Sequence, residues 1–171
     1  MQEILQLKEK YCYRLIVDES MSFGTIGKTG RGITEHFGIP VKEVEIILIA
    51  MDTALASVGG VCVGSREIVD HQRLSGPGYC FSAAAPPFLS AAAIAALAQI
   101  RTNPSLVSKL NEAALKLRTG LNSIPGIYLK SKLSHDDISP VLHCGVEASD
   151  FGDITREQEK QVIIEMCRIA T

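Results

Sequence analysis

The stretch Val17-Asp18-Glu19-Ser20-Met21-Ser22-Phe23-Gly24 decides the fold, because an apolar strand ends there in a run of polar residues. A second apolar run, Val44–Ile49, leads into Met51-Asp52-Thr53-Ala54-Leu55 and then into Gly59-Gly60. Strand and helix patterns alternate over about the first hundred residues, which predicts an α/β fold with a parallel or mixed sheet covered by helices. Two buried strands would therefore each end in a polar tip, at the edge of the sheet where α/β folds bind ligands.

The remaining periodicity predicts the other elements and two domains. Further strands are predicted at Gly60–Gly64, Tyr79–Ser82, Gly126–Lys130 and Pro140–His143, beside the first one at Tyr13–Val17. Helices are predicted at Ile33–Phe37, Arg66–Leu74 and Phe88–Ile100, from Leu106 to Leu121, and after the capping pattern of Thr155 and Gln158. We expect residues 1–102 to belong to a large domain and 103–171 to open a smaller α+β domain. The two ends of the sequence favour an internal piece of a larger protein.

Composition excludes several classes of function. The chain has 171 residues, of which 46% are hydrophobic and 5% aromatic, so we expect an aliphatic core. A net charge of -2 without a basic cluster argues against a nucleic-acid partner. The five cysteines lack CxxC spacing, which favours reduced core thiols of an intracellular protein over a disulfide or zinc framework. His135 and His143 lack Cys or Asp partners at metal-ligand spacing, so no metal site is predicted.

The uncharged run from Leu74 to Ile100 is long enough to suggest a membrane span. Gly76, Pro77, Gly78, Pro86 and Pro87 interrupt it and leave a continuous helix only from about Phe88 to Ile100. At about 1.5 Å per residue, that helix is too short for a bilayer of about 30 Å. A buried core or interface helix is therefore the expectation.

Two features of the first tip suggest chemistry on the residues alone. Asp18 ends a strand, where a carboxylate commonly binds a ligand or caps a turn. The glycines at 24, 27, 30 and 32 could cradle a phosphate, but their spacing fits neither GxGxxG nor GxxxxGK[ST]. Ordinary turn chemistry is therefore the favoured interpretation of these glycines.

Four separated segments resemble the α-oxoamine synthases, fold-type-I pyridoxal-phosphate enzymes that condense an amino acid with an acyl-CoA. They are, in this order, Val17 to Gly24, then Gly30-Arg31-Gly32 with Glu35-His36-Phe37-Gly38, then Gly59-Gly60, and then Tyr79-Cys80-Phe81-Ser82-Ala83-Ala84-Ala85-Pro86-Pro87. The resemblance covers about Leu7 to Ile100. It implies a three-layer, mostly parallel sheet like that of aspartate aminotransferase, here incomplete, with the start of a smaller C-terminal domain.

Two positions depart from the family pattern. The family's Schiff-base lysine lies six residues before the first glycine of the Gly-Gly pair, and that position is Thr53 in this sequence. Met21 stands where catalytic members carry a histidine. A threonine cannot form an imine with a cofactor aldehyde, and a methionine cannot donate a hydrogen bond to the cofactor's phenolic oxygen. The resemblance therefore implies no catalytic residue in this chain.

Two stretches, Ile68–Gly76 and Asp18-Glu19-Ser20-x-Ser22-Phe23-Gly24, are similar to the lysine-less branch of the family, found in heterodimeric serine C-palmitoyltransferases. The resemblance implies a subunit that supports a lysine-bearing partner, the long-chain-base subunit 2, in condensing L-serine with palmitoyl-CoA to 3-oxosphinganine, the first step of sphingolipid biosynthesis. Pyridoxal 5'-phosphate would be bound mainly by that partner. Asp18 would keep a vestigial place opposite the pyridine nitrogen, and Ser82 would reach across the interface to the cofactor phosphate. A location at the cytosolic face of the endoplasmic reticulum membrane is implied in the same way.

Alternatives to these roles stay open at this point. Ser82 could instead be a strand-end serine that caps the next helix. The chain could be an independent synthase that uses another lysine, of which Lys28 and Lys42 are the ones in the motif region. It could also be a structural or regulatory module that keeps the fold without any active-site role.

Overall fold

The structure is a computed structural model, and it describes residues 1–130, 139–146 and 155–169. His135 lies outside these residues. The chain divides into two compact units, Met1–Ser108 and Lys109–Thr171. The domain boundary predicted between residues 102 and 103 stays a prediction.

The first unit is built on a three-stranded mixed sheet. Strands β1 (Ile16–Asp18), β2 (Ile46–Ala50) and β3 (Gly60–Gly64) lie in the order β1-β2-β3. β1 runs parallel to β2 with Asp18 opposite Leu48, and β3 runs antiparallel to β2 with Gly60 opposite Ala50. The carboxyl ends of β1 and β2 therefore meet at one edge of the sheet, as the sequence predicts.

Helices precede, connect and follow these strands along the chain. Those of the first unit are α1 (Gln2–Tyr11), α2 (Ile33–His36), α3 (Arg66–Ser75), α4 (Pro77–Cys80) and α5 (Pro87–Thr102), with a 3₁₀ turn at Val41–Glu43. Helix α6 (Ser105–Asn122) spans the division between the units. The predicted aliphatic core is confirmed, and its buried members are Val44, Ile47, Ile49, Met51, Leu55 and Ala93. Ala93 belongs to α5, so the alanine-rich helix packs on the sheet.

The second unit has an antiparallel strand pair and a helix. β4 (Ile127–Leu129) pairs with β5 (Cys144–Val146), and helix α7 covers Arg156–Ile169. The predicted capping box opens α7: the Thr155 N–H donates to Gln158 Oε1 at 2.8 Å, and the Gln158 N–H donates back to Thr155 Oγ1 at 3.4 Å. This reciprocal pair satisfies backbone donors that the first turn of a helix leaves unpaired.

Two predicted strands are wrong. The segment Tyr79–Ser82 is not a strand, because Pro77 begins the short helix α4, and Tyr79 and Cys80 donate their backbone N–H groups to the Gly76 carbonyl. The strand predicted at Pro140–His143 lies further along, at Cys144–Val146. There the Tyr128 ring covers Gly145 so closely that a Cβ at this glycine would overlap the ring.

The expectation of core cysteines is also wrong. Cys12, Cys62, Cys80 and Cys167 are exposed, and Cys144 is half-buried. No disulfide joins these five residues, all of which lie in the described part of the chain.

Among the described residues, no helix combines the length and the apolar character that a bilayer crossing requires. Helix α5, which contains the uncharged stretch Phe88–Ile100, has 16 residues.

Candidate functional site at the ends of two parallel strands

The candidate site begins with Asp18, the last residue of β1. Its Oδ1 accepts a hydrogen bond of 2.8 Å from the Ser20 N–H, and its side chain is exposed. Hydrogen bonding by the Ser20 side chain, and then by the Ser20 backbone N–H, holds the pKa of Asp18 below its usual range. Asp18 therefore presents an ionised carboxylate at neutral pH.

Ser20 connects the tip of β1 to the tip of β2. Its hydroxyl oxygen accepts a hydrogen bond of 2.9 Å from the backbone N–H of Ala50, the last residue of β2. Its backbone carbonyl accepts a hydrogen bond of 3.0 Å from the hydroxyl of Thr53. The same hydroxyl also lies 3.3 Å from the Ala50 carbonyl oxygen. Asp18 and Thr53 are thus brought to the same edge of the sheet, as predicted, and the bonds of Ser20 link them.

Thr53 lies in a loop that other contacts anchor on the side of β3 and α5. The Met51 N–H donates to the Gly59 carbonyl at 2.9 Å, and the Ser57 hydroxyl donates to the Leu89 carbonyl at 2.7 Å. Leu55 is buried in the core. These contacts hold the loop in place, so Thr53 has a defined position although it is exposed.

Met21, which we predict to stand at the position of the family's histidine, has 58% of its surface exposed. Its backbone carbonyl accepts a hydrogen bond of 2.8 Å from the Thr25 hydroxyl. The thioether side chain has no donor hydrogen. Its assignment to the histidine position stays a prediction.

Glu19, the neighbour of Asp18, is a residue that the sequence analysis missed. It is 1% exposed, and its two carboxylate oxygens each accept from the Ile33 N–H at 3.0 Å, at the start of α2. The Ser22 hydroxyl donates to the same carboxylate. A Cβ at Gly32 would overlap this carboxylate. The buried carboxyl group is therefore satisfied by hydrogen bonds and ties the end of β1 to the glycine-rich turn.

A second carboxylate holds the glycine-rich turn from the side of α2. Glu35 Oε2 accepts from the backbone N–H groups of Thr29 (2.9 Å) and Arg31 (3.1 Å), and Oε1 accepts from the Thr29 hydroxyl (2.8 Å). Burial raises the pKa of Glu35. The hydrogen bonds from Thr29 and Arg31 and the charge of Arg31 together lower it by more than burial raises it, so the pKa lies below the usual value. This supports the interpretation of the glycines as ordinary turn residues and not as a phosphate cradle, because the backbone N–H groups of Thr29, Arg31 and Ile33 already donate to protein carboxylates.

Ser82 lies in a different place, after α4. Its side chain is exposed, and its hydroxyl donates to the carbonyl of Gly78 within the same turn. The described hydrogen bonds do not join it to Asp18 or Thr53. The strand-end position predicted for it is wrong, since no strand precedes it, and its role towards a partner's cofactor stays a prediction.

The two lysines of the motif region lie on other segments than Thr53. Lys42 lies in the 3₁₀ turn before β2, at the opposite end of that strand from Ala50. Lys28 is exposed in the turn between Gly27 and Gly30. In the described part of the chain, no group of three or more His, Cys, Asp and Glu side chains is arranged to hold a metal ion.

With this geometry in place, the family follows from comparison with known proteins. A family model described as "Aminotransferase class I and II" matches residues 1–170. The chain therefore belongs to the class I and II aminotransferase family. Its fold is that of the fold-type-I pyridoxal-phosphate enzymes, which confirms the predicted fold class.

Within the family, the chain is similar to proteins of long-chain-base synthesis. It is 46% identical over 140 residues to "Long chain base biosynthesis protein 1c" of Oryza sativa subsp. japonica, covering 82% of this chain and 28% of that protein. It is 42% identical to "Serine palmitoyltransferase 1" of Dictyostelium discoideum, covering 82% of this chain and 29% of that protein. The chain spans less than a third of the length of these two relatives.

A solved structure extends the comparison to three dimensions. It is described as a high resolution structure of SPT with PLP internal aldimine, and it matches 87% of this chain and 36% of its own with a TM-score of 0.75 and 25% identity. The residues at the ends of β1 and β2 fit a lysine-held cofactor poorly. Thr53 has no amine that could form an imine, and the Met21 side chain has no hydrogen-bond donor, whereas Asp18 presents an ionised carboxylate.

Proposed function

We propose that this chain is part of the lysine-less subunit of serine C-palmitoyltransferase, which condenses L-serine with palmitoyl-CoA to 3-oxosphinganine. Its likeness to two proteins named for this activity or pathway supports the proposal. One observation carries the assignment of the subunit: Thr53, which we expect at the family's lysine position, has a hydroxyl that is hydrogen-bonded to the backbone carbonyls of Ser20 and Ala50. Imine chemistry needs an amine, so the reaction would belong to a partner.

This chain would then form part of the wall of the shared active site and would carry no catalytic residue. Bound pyridoxal phosphate supplies an electron sink for the reaction, and the lysine-bearing subunit 2 would hold it. Asp18 contributes a fixed negative charge at the tip of β1, and Ser82 a hydroxyl on the surface after α4. Glu19 and Glu35 keep the turn between them in place.

Exposed apolar side chains support a partner for this chain. Leu74 (81% exposed), Phe81 (90%), Phe88 (69%) and Ile94 (68%) lie close together in the sequence, on and beside α3, α4 and α5. Large apolar surface on a folded protein favours coverage by another protein surface. We assign that surface to contacts with the catalytic subunit.

We also propose that the complex lies at the cytosolic face of the endoplasmic reticulum membrane. Protease protection of microsomes would test this location.

The test is to co-express the full-length protein with its lysine-bearing partner and to follow 3-oxosphinganine formation from L-serine and palmitoyl-CoA. We expect activity from the pair and none from either chain alone, and we expect the visible absorbance of lysine-bound pyridoxal phosphate to depend on the partner's lysine. The Thr53→Lys variant should remain inactive without the partner, since Met21 is also altered. Turnover by this protein alone would show an independent synthase.

A regulatory module without an active-site role would give a different result. Activity of the partner would then persist without this protein and change only in its regulation. Substitution at Ser82 would leave the rate of the pair unaltered.

A further inference from the structure

The hydroxyl of Thr53 bonds the loop after β2 to the turn after β1, next to the bond between the Ala50 N–H and the Ser20 hydroxyl. It donates to the carbonyl of Ser20, in the turn after β1, from a position in the loop after β2. We propose that Thr53 is a positioning residue: it fixes the loop of residues 51–59 against the Ser20 turn and so shapes the face that this chain presents to its partner. The effect on activity rests on the function proposed above.

The contacts of the loop show why this bond matters. Residues 51, 57 and 59 are hydrogen-bonded among themselves and to Leu89 of α5, which anchors the far side of the loop. Ala56 has a φ of 47°, a left-handed conformation that is unfavourable for a residue with a Cβ. A loop with such a residue needs external contacts to keep one conformation. On the side of β1, those contacts are the Thr53 hydroxyl and the packing of Ala54.

Ala54 adds a steric part to the same junction. A Cβ at Gly24 would overlap the Cβ of Ala54, so the glycine-rich turn already touches the loop at this point. The Thr53 bond and the Ala54 contact lie on adjacent residues and hold the loop against the same segment, residues 20–24. Replacing the hydroxyl by a methyl group would leave the packing and remove the bond.

A threonine suits this position better than the family's lysine would in a chain without imine chemistry. Its hydroxyl lies on Cβ, within reach of the main chain, and has few rotamers to lose. A lysine ammonium lies at the end of a flexible four-carbon stem, so it would reach the same carbonyls only at a larger entropic cost. The residue at the lysine position would therefore retain a structural task.

The experiment compares Thr53→Val, which keeps the shape, with Thr53→Ser, which keeps the hydroxyl, in the full-length protein complexed with its partner. The matched control is Thr102→Val, because the Thr102 hydroxyl also donates to backbone carbonyls but within α5. We measure amide hydrogen exchange of residues 51–59 and the rate of product formation per assembled complex. For Thr53→Val we expect exchange to rise and the rate to fall, each by about fivefold, the size of one net hydrogen bond. Thr53→Ser and Thr102→Val should stay within about twofold of the wild type.

The outcomes separate this inference from the proposed function. If the wild-type complex makes no product, the proposed function fails, and the exchange data still decide the role of Thr53. If Thr53→Val matches the wild type in exchange and rate, the inference is overturned. If Thr53→Val does not assemble, Thr53→Ser decides: its normal exchange and rate support the inference, and its failure to assemble overturns it.

Discussion

At the scale of single residues, two carboxylates matter more for the architecture than the residues first singled out for chemistry. Glu19 points into the protein while its neighbour Asp18 is exposed, since successive residues at the end of a strand face opposite sides. Glu19 therefore ties together β1, the turn and α2, whereas Asp18 stays exposed. The sequence held one signal for this, an acidic pair at a strand end followed by Gly30-Arg31-Gly32, but the partner of Glu19 became visible only in three dimensions.

The fit between Glu19 and Gly32 gives a prediction about stability. Gly32 has a φ of 83°, and a Cβ there would overlap the Glu19 carboxylate. We expect Gly32→Ala to lower the free energy of unfolding by about 1–3 kcal/mol, because it adds backbone strain and displaces a buried, hydrogen-bonded carboxyl group. Thermal and urea unfolding of the full chain measure this.

The control for Gly32→Ala is Gly120→Ala. Gly120 lies in α6 with open space where a Cβ would be, so alanine there should raise the free energy of unfolding by about 0.5–1 kcal/mol. A Gly32→Ala protein as stable as the wild type would contradict the close contact with Glu19.

At the scale of elements, the sequence predicts strands and helices that have a strong hydrophobic periodicity. It does not predict an element boundary that depends on one tertiary contact. Gly60–Gly64 and Ile33–Phe37 were predicted almost to the residue, since glycines bound both. The first strand was predicted at Tyr13–Val17 but begins at Ile16. The reason is Glu45: its carboxylate oxygen Oε2 accepts a hydrogen bond of 2.8 Å from the Leu15 N–H, which therefore does not bond to a neighbouring strand.

The ion pair of Glu45 gives a prediction about pH. Glu45 Oε1 lies 2.9 Å from Lys8 Nζ of α1 and 3.7 Å from the Arg14 guanidinium. Hydrogen bonds from Lys8 and then from the Leu15 N–H lower the pKa of Glu45. A carboxyl with a lowered pKa stabilises the fold above its unfolded pKa of about 4.3 and loses that contribution as the pH falls through the folded value.

We therefore expect Glu45→Gln to cost about 1.5–3 kcal/mol at pH 7 and progressively less as the pH falls below about 4.3. Urea unfolding of both proteins from pH 7 to pH 3 measures the difference. Glu9→Gln, on the exposed side of α1, is the control and should show little difference at any pH. A difference between wild type and Glu45→Gln that is constant across this range would contradict the ionic contribution.

At the scale of the whole molecule, the sequence predicted the family and the meeting of Asp18 and Thr53, because ordered motifs and strand ends are local signals. It could not predict how Ser82 is presented, since that depends on the short helix α4 and on surfaces outside this chain. In the structure Ser82 is exposed and bonds only to its own turn among the described contacts. Because Ser82 is exposed in the described part of the chain, we expect a larger side chain there to act on a partner and not on the stability of the described fold.

This separation of effects gives the last prediction. Ser82→Phe should leave the unfolding of this protein within about 0.5 kcal/mol of the wild type, as expected for a surface change. In the complex with the lysine-bearing subunit it should lower the rate with L-serine and weaken the choice of serine over alanine, because a bulky ring would disturb positioning at the shared site. Ser82→Ala isolates the loss of the hydroxyl, and Ser90→Phe, at an exposed position of α5, isolates the addition of a ring. Rates with serine and with alanine, normalised to assembled complex, decide the matter. If Ser82→Phe behaves like Ser90→Phe in both assays, Ser82 caps its own turn and takes no part in the shared site.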